Sequence, residues 1–109
     1  MTESISKQVE QLMLSKDFNK ALDLCNQNSN DLSKKQYLYL TSVCYRYLER
    51  YDKALSYLSH LIELDPTYGR AFQEFGHIHM KLNDKNKAIK GYIRACLLYT
   101  SDAADESVG

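Results

Sequence analysis

Apolar residues recur along the chain at the three- and four-residue steps of an amphipathic helix, most clearly in the runs that follow two alanines. These runs are Ala54, Leu55, Leu58, Leu61, Ile62 and Ala88, Ile89, Tyr92, Ile93. Each predicts a helix with one buried stripe. Before them lies a polar turn, and three such blocks align on a single alanine: Lys16–Leu22 on Ala21, Glu49–Leu55 on Ala54 and Asp84–Ile89 on Ala88. The alanines are spaced by 33 and 34 residues. Ahead of each turn sits another helical stretch. In the middle unit it covers Lys34 to Leu48, opened by Ser33 and Gln36 in the spacing of a capping box, where the serine hydroxyl accepts from a free backbone N–H. In the last unit it begins near Asp65 and Pro66, because proline in a first helical turn forfeits no hydrogen bond. The pattern predicts a helix–turn–helix unit occurring three times.

Composition narrows the alternatives. One proline and four glycines in 109 residues are too few for the many tight turns of an all-β fold. A formal net charge of zero gives no overall pull toward nucleic acid or an anionic membrane. No stretch of 18 apolar residues occurs, and the first ten residues lack the basic-then-apolar form of a signal peptide. Cys25, Cys44 and Cys96 form no Cys-x-x-Cys pair and are odd in number, which suits a reducing, cytoplasmic setting. Phosphate-binding glycine loops, zinc-helix motifs and nucleophile elbows are absent, so no catalytic constellation, cofactor site or metal site is predicted. His77 and His79 lie two apart on a predicted helix and point about 200° from one another, which prevents shared coordination.

The repeat resembles the tetratricopeptide repeat, whose signature is W-x-x-L-G-x-x-Y, then A-x-x-x-F, then P. The third unit carries it as Phe72, Phe75, Gly76 and His79, then Ala88, Tyr92 and Ala95. The second carries it as Leu38, Thr41, Ser42 and Tyr45, then Ala54, Leu58 and Pro66. The first is worn, with Val9, Leu12, Ala21 and Cys25 in register. The resemblance implies an all-α fold of about three units and six helices stacked in a right-handed superhelix, with repeats at roughly 2–32, 35–66 and 67–98, the last truncated by the end of the domain 1–95. Small residues at Ala54, Ala88 and Gly76 would let paired helices approach, while Phe72, Tyr45, Leu58 and Tyr92 would fill the seams.

The resemblance also implies a concave face made by first helices that holds a protein or peptide. On this chain the positions are Glu3, Ser6, Glu10 and Met13, then Gln36, Tyr39, Val43, Arg46 and Tyr47, then Arg70, Gln73, His77, Met80 and Lys81. Tyr39, Val43, Arg46, Tyr47, Arg70, Gln73, His77 and Lys81 form the expected groove. Arg46, Arg70 and Lys81 beside His77 would meet an acidic partner, and Tyr39 and Tyr47 would anchor it. The lysines and asparagines with which chaperone-binding members clamp a terminal carboxylate are replaced by Ser6, Glu10, Val43, Gln73 and His77. A monomer or weak self-association through an uncovered terminal hairpin is expected.

Two further resemblances bear on extent. Residues 96–106 resemble the translation of a transposase-end adapter used in sequencing libraries, which implies that 96–109 is a non-native tail and that the natural sequence continues differently after Ala95. Without the tail the charge becomes mildly basic, about +3. Asp65 to His77 resembles the segment of bacterial proteins that join such repeats to a sulfotransferase domain, which would place any catalysis outside this chain.

Overall fold

The computed structural model describes the backbone of residues 4–108 and the side chains of residues 4–99. Its order is α1 (Ile5–Leu14), α2 (Phe18–Gln27), a short 3-10 turn (Ser29–Asp31), α3 (Lys34–Tyr47), α4 (Tyr51–Leu64), α5 (Gly69–Lys81) and α6 (Lys85–Val108). There is no strand among the described residues. The helices form two compact units, Met1–Leu61 and Ile62–Gly109.

In the first unit α2 packs against both α1 and α3. Its core is Val9, Ala21, Leu22, Cys25, Leu32, Leu40 and Cys44, bordered by Leu12, Phe18, Tyr37 and Tyr45. Ala21 and Ala54 are wholly buried, as their place in the repeat predicts. The α3 start follows the sequence: the Gln36 N–H donates to Ser33 Oγ at 3.0 Å and the Ser33 N–H to Gln36 Oε1 at 3.2 Å. The Tyr37 hydroxyl donates to Asn26 Oδ1 on α2 at 2.7 Å. Tyr45 stacks on Tyr57 of α4, with ring centres 5.6 Å apart.

In the second unit α5 and α6 lie against one another through small side chains: Ala71 and Gly76 on α5, Ala88, Gly91 and Ala95 on α6. A methyl group placed at Gly76 would come within 2.7 Å of the Tyr92 ring. Tyr92 therefore fills space inside its own hairpin. The backbone of α6 continues unbroken past Ala95 to Val108.

Pro66 occupies a different place from that expected. It lies in a turn, and α5 begins three residues later at Gly69. The cause is Asp65, whose Oδ1 accepts from both the Thr67 N–H at 3.0 Å and the Thr67 hydroxyl at 2.6 Å, holding a side-chain-closed turn in competition with helix.

The three turns within hairpins share one geometry. Lys16, Glu49 and Asn83 have φ of 64°, 62° and 61°, the left-handed conformation. At each, one N–H closes to the carbonyl three residues back, Lys16 to Met13, Glu49 to Arg46 and Asn83 to Met80. The following N–H closes five back, Asp17 to Leu12, Arg50 to Tyr45 and Asp84 to His79. This is the Schellman closure of a helix C-terminus, made here three times without glycine.

Candidate functional site

The eight predicted groove residues fall on two helices, four on α3 and four on α5. Along α3 every residue from Leu40 to Cys44 is buried, because this helix touches neighbours on several sides. Val43 is among them at 5% exposure, so it contributes packing and is not open to a ligand, contrary to its expected place. Tyr39 is half-buried against the core of the first unit. Past Cys44 the helix surfaces: Arg46 is half-buried and Tyr47 is 52% exposed.

Tyr47 is held by two neighbours. Phe18 at the start of α2 lies parallel to it, with ring centres 4.6 Å apart and planes 3° off. The Arg46 guanidinium carbon sits 4.4 Å from the Tyr47 ring centre, within cation–π range. Stacking restrains a large exposed aromatic and lowers the ordering cost of using it as an anchor. Phe18 is a residue that repeat spacing does not single out; its signal is the aromatic two residues after the left-handed turn residue, also present as Tyr51.

On α5, Arg70, Gln73 and Lys81 are exposed and Met80 beside them is 48% exposed. His77 is half-buried, and its Nδ1 lies 2.8 Å from the Tyr92 hydroxyl. The Tyr92 hydroxyl is thus satisfied by a histidine, and the histidine is turned partly toward α6 rather than wholly into a groove. Two residues along, on the other side of the helix, His79 is buried and its Nδ1 has no hydrogen-bond partner. Burial lowers its pKa below the ordinary histidine value, and the nearby Lys87 adds to this while Asp84 opposes it.

Cys25 and Cys44 are buried free thiols whose desolvation pushes their pKa up to about 11 and about 12, while Cys96 is exposed. High thiol pKa values make the first two poor nucleophiles and suit their role as small core groups. Among the described residues, no three His, Cys, Asp or Glu side chains converge as a metal-binding set, and no helix is long and apolar enough to cross a membrane.

Gly91 was also not distinguished by the repeat signature. A methyl group there would stand 2.9 Å from the Phe72 carbonyl oxygen and 3.0 Å from the Gly76 backbone nitrogen, so α6 lies directly on the α5 backbone at this point. A glycine inside an otherwise apolar helix is the available signal for such an approach.

Exposed cations and aromatics on helices with otherwise buried faces make a surface suited to recognising another chain. Comparison with protein families matches residues 36–68 and residues 69–102 each to the tetratricopeptide repeat, together more than half of the chain. The chain belongs to the tetratricopeptide-repeat family, whose repeats generally mediate protein–protein interaction and are typically non-catalytic scaffolds. No curated protein matches the chain.

Proposed function

We infer that this chain binds acidic protein or peptide segments, with Arg46 and Tyr47 on α3 as the contacts of the first unit and Arg70, Gln73 and Lys81 on α5 as the contacts of the second. The observation that carries the reading is the Phe18–Tyr47–Arg46 stack, an exposed and restrained aromatic bearing a cation at the end of a buried helix. Restrained Tyr and Arg side chains are the residue types that dominate binding energy at interfaces. On α5 the exposed Arg70 and Lys81 supply the same sign of charge, which favours a carboxylate-rich ligand. Val43 and the Tyr92-bound His77 have supporting positions.

A peptide-array screen with the protein and an Arg46→Glu, Lys81→Glu double variant tests this. Loss of the acidic hits in the variant supports the assignment. Retention of every hit at unchanged strength rules out these cations as the contact surface.

A second reading rests on the resemblance of Asp65–His77 to repeat segments joined to sulfotransferase domains: the repeats would then serve a larger enzyme whose chemistry lies elsewhere. The resemblance of residues 96–106 to an adapter supports treating Met1–Ala95 as the functional portion. What the gene encodes after Ala95 decides both points. Free buried thiols at Cys25 and Cys44 suit a cytoplasmic site for either reading.

A further inference from the structure

We propose that the second unit carries a separate site for a small hydrophobic carboxylate, on the side of α5 opposite the residues assigned to partner binding. Helical spacing puts Phe72 and Phe75 about half a turn from Arg70, His77 and Lys81, so the two faces do not overlap. A cavity of about 300 Å³ opens there, lined by Ile62 from the end of α4, Phe72 and Phe75 from α5, and Lys90, Gly91 and Arg94 from α6. Its volume lies at the small end of the range that ligand pockets occupy, sufficient for one ring and a short acid chain.

The chemistry of the lining selects the ligand. Ile62 and two phenylalanines, all half-buried, supply an apolar wall. Lys90 and Arg94 are both exposed, stand at the same cavity four residues apart, and have no ion-pair partner among the described residues. The Arg94 guanidinium carbon lies 5.7 Å from the Phe72 ring centre, a cation–π arrangement that holds the cation over the aromatic wall. No acidic residue lines the cavity. An uncharged apolar ligand would leave both cations unused, and an inorganic anion would leave the phenylalanines uncovered. A molecule with a ring at one end and a carboxylate at the other satisfies both, the carboxylate accepting charge-assisted hydrogen bonds from Lys90 Nζ and the Arg94 fork.

The probe is 3-phenylpropionate, titrated into the isotopically labelled protein and followed by backbone amide NMR, with 3-phenylpropanamide as its uncharged counterpart. The expected result is a saturable shift of the Phe75, Lys90, Gly91 and Arg94 amides with a dissociation constant on the order of 1 mM. Binding weakens roughly tenfold for the amide and for a Lys90→Gln, Arg94→Gln variant, whose substitutions are exposed and leave the dispersed spectrum intact. Absence of a saturable shift at these amides overturns the proposal. So does equal affinity for acid and amide, or for the protein and the variant. Retained 3-phenylpropionate binding in the Arg46→Glu, Lys81→Glu variant shows that this site is independent of the partner-binding face.

Discussion

Replacing Gly91 by alanine puts the contact between α5 and α6 under direct test. The added methyl would stand 2.9 Å from the Phe72 carbonyl oxygen, 2.9 Å from Phe75 Cδ1 and 3.0 Å from the Gly76 nitrogen. Two of these three neighbours are backbone atoms, which cannot step aside without moving α5. Overpacking of this kind costs about 1–3 kcal/mol. Alanine is also the better helix former by about 1 kcal/mol, which offsets part of the loss. Two rigid backbone neighbours put the cost in the upper part of the overpacking range, so the net expectation is a destabilisation of up to about 2 kcal/mol.

Gly76→Ala is the matched control. The three atoms nearest its methyl would all belong to the Tyr92 ring, at 2.7 to 2.9 Å, and a ring can swing. Swinging it sacrifices the 2.8 Å His77–Tyr92 hydrogen bond, worth about 1 kcal/mol, against the same helix-propensity gain. That variant should lie near the parent in stability. Urea unfolding followed by circular dichroism at 222 nm measures both. If Gly91→Ala matches or exceeds the parent in stability, or falls no lower than Gly76→Ala, α6 does not rest on the α5 backbone as described.

Three further outcomes follow from the geometry. At pH 8 in the native protein, Ellman's reagent should modify Cys96 first, with Cys25 and Cys44 reacting only in denaturant, since burial holds their thiols protonated; three equally fast thiols would contradict the core assignment. Glu49→Gly should stabilise by about 0.5–1 kcal/mol in thermal melts, because the left-handed conformation costs a side-chain-bearing residue about 1–2 kcal/mol and glycine's extra unfolded freedom removes part of the gain. Asn83→Gly should gain less, asparagine already tolerating that conformation. His79 has a lowered folded pKa, so below about 6.5 the unfolded chain takes up a proton that the folded chain resists. Stability is therefore full above that pH and falls as the pH drops toward the folded value; His79→Phe, which retains a ring beside Phe75, should show a shallower decline between pH 7.5 and 5, and an identical decline would refute the assignment.

Much of the architecture was legible because it rests on local periodicity. The burial of Ala21, Ala54 and Ala88 and the Ser33–Gln36 capping box depend on spacing within a few residues, and these are signals that a sequence displays directly. The start of α5 was misplaced because Pro66 permits a helix without requiring one, and the Asp65 carboxylate selected the turn. Val43 was assigned to an open face because helical phase gives a direction but not what lies along it. The bond of His77 to Tyr92 depends on a residue fifteen positions away, which helical phase does not display. The left-handed turns at Lys16 and Glu49 carry no marker in the sequence, because neither residue is glycine, the usual sign of that conformation.

Those turns have a consequence for how the chain acquires its structure. Each reversal of direction closes through bonds that reach no farther than five residues, so its formation requires almost no search among distant parts of the chain. Chains dominated by such short-range closures fold in microseconds to milliseconds. A lesion at one reversal accordingly delays the hairpin that contains it and leaves the others free to nucleate at their own pace.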